Sequence, residues 1–136
     1  MTFNRENWDF ARWPNFAPSE LQDKENSTLA MDGTFMDKLQ ALRSKMGFPF
    51  VISSGYRSVE HSIEKRKAQP GAHTTGKAAD ILVCSRDADR LIREAVRMGF
   101  TGIGIKQHGD HDKRFVHLDT VEDSRNFARP LIWTYA

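Results

Sequence analysis

Residues 53–80 read SSGYRSVEHSIEKRKAQPGAHTTGKAAD, and residues 115–119 answer them with FVHLD. In the second stretch, period-two alternation sends Phe115, His117 and Asp119 to one face of a strand and Val116 and Leu118 to the other. In the first, a regular strand would set His73 and Asp80 on opposite faces. Gly76 lies between them and allows the chain to bend back. Asp80 opens the apolar run Ile81-Leu82-Val83, which reads as a buried strand. Imidazole nitrogen and carboxylate oxygen are donors that zinc accepts, and a catalytic zinc takes three protein ligands plus a water. His73, Asp80 and His117 are therefore candidate metal ligands, with Arg57 and Asp119 as polar companions. Spacing alone leaves another reading open: a surface-turn histidine, a capping aspartate and a half-buried strand histidine.

The order SGYRS (residues 54–58), then H-x-x-G-K-A-x-D (residues 73–80), then F-V-H-x-D (residues 115–119) resembles the M15 family of zinc peptidases. These are D-alanyl-D-alanine carboxypeptidases and related peptidoglycan peptidases. The similarity runs from about Phe35 to Trp133, and the H-x-D ending is like that of the short, phage-type branch. The resemblance implies one zinc ion held by His73, Asp80 and His117. It implies that Arg57 binds a substrate carboxylate or the polarised carbonyl oxygen. Two positions depart from the family pattern. Gly71 stands where many members carry serine, and Arg114 stands where some branches place a glutamate general base. Asp119 is then the candidate base or orienter.

Working outward, residues 1–136 are expected to form one peptidase domain, long enough for a single modest core. Trp8, Phe10, Trp13, Phe16 and Leu21 read as an aromatic N-terminal strap over residues 1–30, with a glycan-binding patch as the alternative. Ser19-Glu20-Leu21 reads as a short helical turn. Asp32 or Thr34 caps a helix over 34–46, whose Phe35, Met36, Leu39, Leu42 and Met46 share one face. Gly47 stops it. Phe50-Val51-Ile52 reads as the strand that delivers Arg57. Residues 59–67 read as a short charged helix or loop, with His61 and Lys65-Arg66-Lys67 in solvent. Ser85 caps a second helix over 86–98, with an apolar stripe of Leu91, Ile92, Ala95 and Val96. Residues 100–105 form a strand whose two glycines permit close backbone approach. Residues 106–114 are a polar connection whose His108, Asp110, His111 and Asp112 match no closed zinc motif. Residues 131–135 close the sheet as an edge element.

The fold expected is α+β. A mainly antiparallel sheet uses strands near 50–53, 80–84, 101–105 and 115–120, with the two helices on one face and the zinc cleft at the other face or rim. Net charge of +2 and a pI near 8.8 are too weakly basic to argue nucleic-acid binding. No stretch approaches transmembrane length, and the N-terminus lacks an apolar signal core. The single cysteine, Cys84, forms no intrachain disulfide. The resulting expectation is a monomeric zinc hydrolase that cuts peptidoglycan stem peptides, as a carboxypeptidase or as an endopeptidase of the endolysin kind. It would be made in the cytoplasm and act on the wall after release or as a virion component. A non-catalytic zinc-containing module that binds the wall or builds a virion is the alternative.

Overall fold

The computed structural model describes residues 1–136. In chain order the elements are β1 (Thr2–Phe3), α1 (Pro18–Leu21), β2 (Met31–Asp32), α2 (Gly33–Met46), β3 (Val51–Ser54), α3 (Ser62–Lys65), a 3-10 turn (Ala72–Thr75) and β4 (Ala78–Leu82). There follow α4 (Ser85–Arg97), β5 (Gly102–Lys106), a second 3-10 turn (His111–Lys113), β6 (Phe115–Asp119) and β7 (Leu131–Thr134). The fold is α+β. Its main sheet has the order β3-β4-β6-β5-β7 and is antiparallel except where β5 meets β7. β4 begins two residues earlier than its apolar run suggests, because Ala78 and Ala79 already pair with Asp119 and Leu118 of β6.

Alternation divides the sheet into two chemically different faces. Ala79 and Ile81 of β4, Val116 and Leu118 of β6 and Ile103 of β5 point into one hydrophobic core. Phe35, Met36, Leu39 and Leu42 of α2 and Ala88, Leu91 and Ala95 of α4 fill the same core. The opposite face carries Asp80, His117 and Asp119, so α2 and α4 cover only the apolar side.

The bounds of α2 follow from local chemistry. The Asp32 carboxylate accepts the Phe35 N–H at 2.9 Å, supplying one of the bonds a helix start lacks. Gly47 ends the helix at φ 77°, in the left-handed region, and donates its N–H to Arg43 O at 3.2 Å. At α4 the expected cap differs. Cys84 occupies the cap position, no side chain caps the helix, and Ser85 is its first residue. Its core stripe is Ala88, Leu91 and Ala95, while Val96 is exposed, because one further residue rotates about 100° away from the stripe. Glu94 is buried between the helices and reaches Lys45 of α2 at 2.8 Å and Arg97 at 3.1 Å.

The N-terminal aromatics belong to the core. Trp13 is fully buried, with Phe3 and Trp8 edge-on to it at 4.7 and 4.9 Å between ring centroids. Their polar handles are met: Trp8 Nε1 donates to Phe16 O at 3.0 Å and Trp13 Nε1 donates to Asp37 Oδ1 at 2.9 Å. Phe10 alone among these aromatics points to solvent.

Candidate metal centre

Strand register assembles the site. Ser54 pairs with Asp80, Asp80 with His117, His117 with Gly104, and Gly104 with Trp133, giving one row across β3, β4, β6, β5 and β7. The next row runs Ala78, Asp119, Gly102, Leu131. Side chains directly across a ladder lie on the same face, so Asp80 and His117 meet because their strands are registered this way.

His73 comes from the 3-10 turn before β4. Gly76 ends that turn at φ 74°, where a side chain would collide with the Ala30 carbonyl. The chain can therefore double back and present His73 beside Asp80. His73 Nδ1 donates to Gly55 O at 2.7 Å, which leaves Nε2 facing Asp80 Oδ1 at 3.3 Å. His117 Nδ1 lies 2.9 Å from the same oxygen. Its other nitrogen, Nε2, lies 2.7 Å from Asp119 Oδ2. Both imidazoles thus have one nitrogen turned to Asp80 and the other held by a backbone carbonyl or a carboxylate. That second partner fixes the tautomer and ring plane of a metal-binding histidine.

The three donors are buried, and their ligand atoms all lie within 4.8 Å of one another. Burial alone would raise the Asp80 pKa, but His73 and His117 overcome it and hold the carboxyl well below its ordinary range. Burial likewise opposes a charged His117, and Asp119 and Asp80 outweigh it, so its pKa is raised. Two imidazoles and one carboxylate, with a cavity on the remaining side, fit a single zinc ion with an open position.

Asp119 is fully buried, and all its contacts are made within the protein. Besides His117 Nε2, its carboxylate accepts Arg129 Nε at 3.0 Å, Arg129 Nη2 at 2.8 Å and the Val121 N–H at 3.2 Å. Those bonds outweigh burial and keep its pKa low. This geometry is that of a carboxylate that orients His117. The base half of the expectation for Asp119 lacks what it needs, an oxygen open to the cavity.

A cavity of about 360 Å³ opens on the donors, and its further lining includes Arg57, Lys67 and Arg129 and the aromatic rings of Phe115, Phe127, Trp133 and Tyr135. Arg57 reaches it as expected from its place just past β3. It uses one nitrogen, Nη1, on Glu64 Oε2 at 3.2 Å. Asp80 is the only carboxylate residue in the cavity lining. Arg114, at the position of the base in other branches, lies outside the cavity and bonds the Gly109 carbonyl at 3.1 and 3.0 Å.

Several residues here lack any signal in local spacing: Glu64, Lys67, Arg129, Trp133 and Tyr135. Lys65, Arg66 and Lys67 are exposed as expected, but His61 is buried and caps α3 by accepting the Ile63 N–H at 3.1 Å. The Glu64 side chain is fully buried. By contrast His108, Asp110, His111 and Asp112 are exposed and take no part in the donor cluster.

Three convergent donors lining one cavity, two on the sheet and one on the turn before β4, fit a mononuclear zinc site of the hydrolase type. The family comparison agrees: a model of peptidase M15 matches residues 14–119, and the chain belongs to that family. M15 peptidases are zinc-dependent, so the chain is a zinc metallopeptidase and its substrate is a peptide. No curated protein matches the chain.

Proposed function

We propose that the chain hydrolyses peptide bonds in peptidoglycan stem peptides, with His73, Asp80 and His117 as its zinc ligands. One observation carries the assignment of ligands: His73 Nε2 and His117 Nδ1 converge on Asp80 Oδ1, at 3.3 and 2.9 Å, and all three residues line the cavity. Zinc bound there supplies Lewis acidity, lowering the pKa of water toward ~7 and polarising the scissile carbonyl. Gly55 O holds the His73 ring and Asp119 holds the His117 ring, so both donor nitrogens are aimed before any ion arrives. Arg129 holds Asp119 in turn. Arg57 faces the cavity with N–H groups that Glu64 does not use, and these bind the oxygen on which negative charge develops, or a substrate carboxylate. The aromatic wall of Phe115, Trp133 and Tyr135 excludes water from one side of the bound peptide. The place of action in this reading is the cell wall, reached after release from the cell or as part of a virion.

The lack of a free carboxylate in the cavity lining favours a second reading, a zinc-containing module that binds wall peptides without cutting them. One experiment separates the two: bound-metal analysis together with digestion of purified peptidoglycan, products identified by mass spectrometry. Stoichiometric zinc and released stem peptides are expected, and the products name the bond cut. Stoichiometric zinc with an intact wall would select the binding module. No zinc after metal repletion would overturn the ligand assignment itself.

A further inference from the structure

Glu64 is a fully buried carboxylate that serves two cations at once. Its Oε2 accepts Lys67 Nζ at 2.9 Å and Arg57 Nη1 at 3.2 Å, while its Oε1 accepts the Gly71 N–H at 2.8 Å. These bonds outweigh the burial that would raise its pKa, and hold it below the ordinary carboxylate range. It is therefore ionised at neutral pH. One carboxylate against an ammonium and a guanidinium leaves an excess of positive charge on the cavity wall. Both cations line the cavity with His73, Asp80 and His117, and the Lys67 side chain is 39% exposed and the Arg57 side chain 17%. Glycine at residue 71 leaves room for Lys67 in this position. A Cβ at Gly71 would lie 2.6 Å from Lys67 Nζ and 3.2 Å from Glu64 Oε1. The ammonium occupies the space that a side chain at 71 would take, two residues before a metal ligand.

We propose that Lys67 is a specificity-determining residue: with Arg57, and spaced by Glu64, it forms a carboxylate subsite beside the metal. The subsite selects peptides whose leaving residue carries a free α-carboxylate. This rests on the peptidase reading above and narrows it. A terminal D-alanine carries such a carboxylate, and so does a D-glutamate whose onward link runs through its γ-carboxyl. Glycines inside an interpeptide bridge do not. A second cation matters because Arg57 alone serves either an oxyanion or a carboxylate. With Lys67 beside it, the wall has donors for both.

The test compares wild type with Lys67→Met, which keeps much of the aliphatic stem, on two matched pairs. One pair is a peptide ending in D-alanyl-D-alanine and its C-terminal amide. The other is an L-alanyl–D-glutamate peptide with its α-carboxylate free or amidated. KM and kcat are measured on zinc-loaded protein, and affinity by calorimetry on metal-free protein, where no turnover occurs. Wild type should favour the acid of at least one pair by roughly tenfold in KM and in affinity, the size of one charge-assisted hydrogen bond. In Lys67→Met that preference should collapse, with zinc content unchanged. The same acid-to-amide ratio in both proteins would overturn the proposal, as would an equal loss on acids and amides. A Lys67-dependent preference in calorimetry without turnover by wild type would keep the subsite and overturn the peptidase reading.

Discussion

Gly102→Ala is a substitution for which strand propensity and the structure predict opposite signs. Glycine inside a strand is unfavourable relative to alanine by roughly 0.5–1 kcal/mol, so an open site would gain that much on substitution. Gly102 is not open. A Cβ there would fall on the Oδ1, Oδ2 and Cγ atoms of Asp119. Asp119 has no room to yield, because Oδ2 is held by His117 Nε2 at 2.7 Å and Arg129 Nη2 at 2.8 Å, and Oδ1 by Arg129 Nε at 3.0 Å. Displacing it separates a buried ion pair, which costs about 3–5 kcal/mol when one partner is lost. Subtracting the propensity gain leaves a net destabilisation of about 2–4 kcal/mol, a large part of a typical domain's ~5–15 kcal/mol. His117 would also lose the partner that fixes its ring, which weakens metal binding by roughly 10- to 100-fold. Urea denaturation of metal-free protein reads the first effect, and competition with a chromophoric chelator reads the second. A Gly102→Ala protein as stable as wild type, with the same zinc affinity, would refute the claim that this glycine exists to seat Asp119.

Two further outcomes concern buried carboxylates, one in the metal centre and one outside it. Asp119→Asn should lower zinc affinity by roughly 10- to 100-fold, measured by chelator competition, since an amide holds the His117 ring less well; a variant with wild-type zinc affinity but no turnover would instead place Asp119 in proton transfer. Asp23 is buried and accepts N–H bonds from Ser58 at 2.8 Å and Glu25 at 2.8 Å, which outweigh burial and lower its pKa from 3.8. A depressed folded pKa contributes stability that is present above the unfolded value and lost as pH falls below it. Acid denaturation followed by circular dichroism should therefore show stability dropping below about pH 4, with a shallower drop in Asp23→Asn; parallel curves for the two proteins would remove Asp23 from that role.

What could be read from the residues divides by range. The helix 33–46 was legible because its stop and start are local, an aspartate three residues before a free N–H and a glycine in the left-handed region. The strand 115–119 was legible because alternation is local too, and it already set His117 and Asp119 on one face. The two glycines of β5 announced a close approach, but not what approaches: the Asp119 carboxylate at Gly102, and the Trp133 and Tyr135 rings at Gly104. Arg129 and Glu64 were illegible. Arg129 reaches Asp119 from an irregular turn with no periodicity. Glu64 sits in a stretch so rich in charge that it reads as solvated, and it is buried only because two cations and a backbone N–H meet it there. Their partners are set by tertiary placement, to which local pattern is blind.

The arrangement also explains why the metal centre can be exact in geometry and still open to substrate. Two of its donors, Asp80 and His117, stand on β4 and β6, strands flanked by hydrogen-bonded neighbours on both sides and packed below on the helices. Such positions vary little, which is what a site needs if its donors are to wait in place for an ion. The third donor, His73, comes from a turn, but Gly55 O fixes its ring, and the Asp32 N–H donates to Gly76 O at 2.8 Å beneath it. Further out stand Lys67 and Arg57 at the cavity wall, and the β7 edge that carries Trp133 and leads into Tyr135. Metal donors below, and cations and aromatics above, separate two demands. In the reading proposed above, the lower layer sets affinity for zinc, and the upper layer sets which peptide is held against it. That reading predicts that Lys67→Met changes the acid-to-amide preference with zinc content unchanged, whereas His117→Ala loses zinc and turnover together, both read by bound-metal analysis beside a peptide assay.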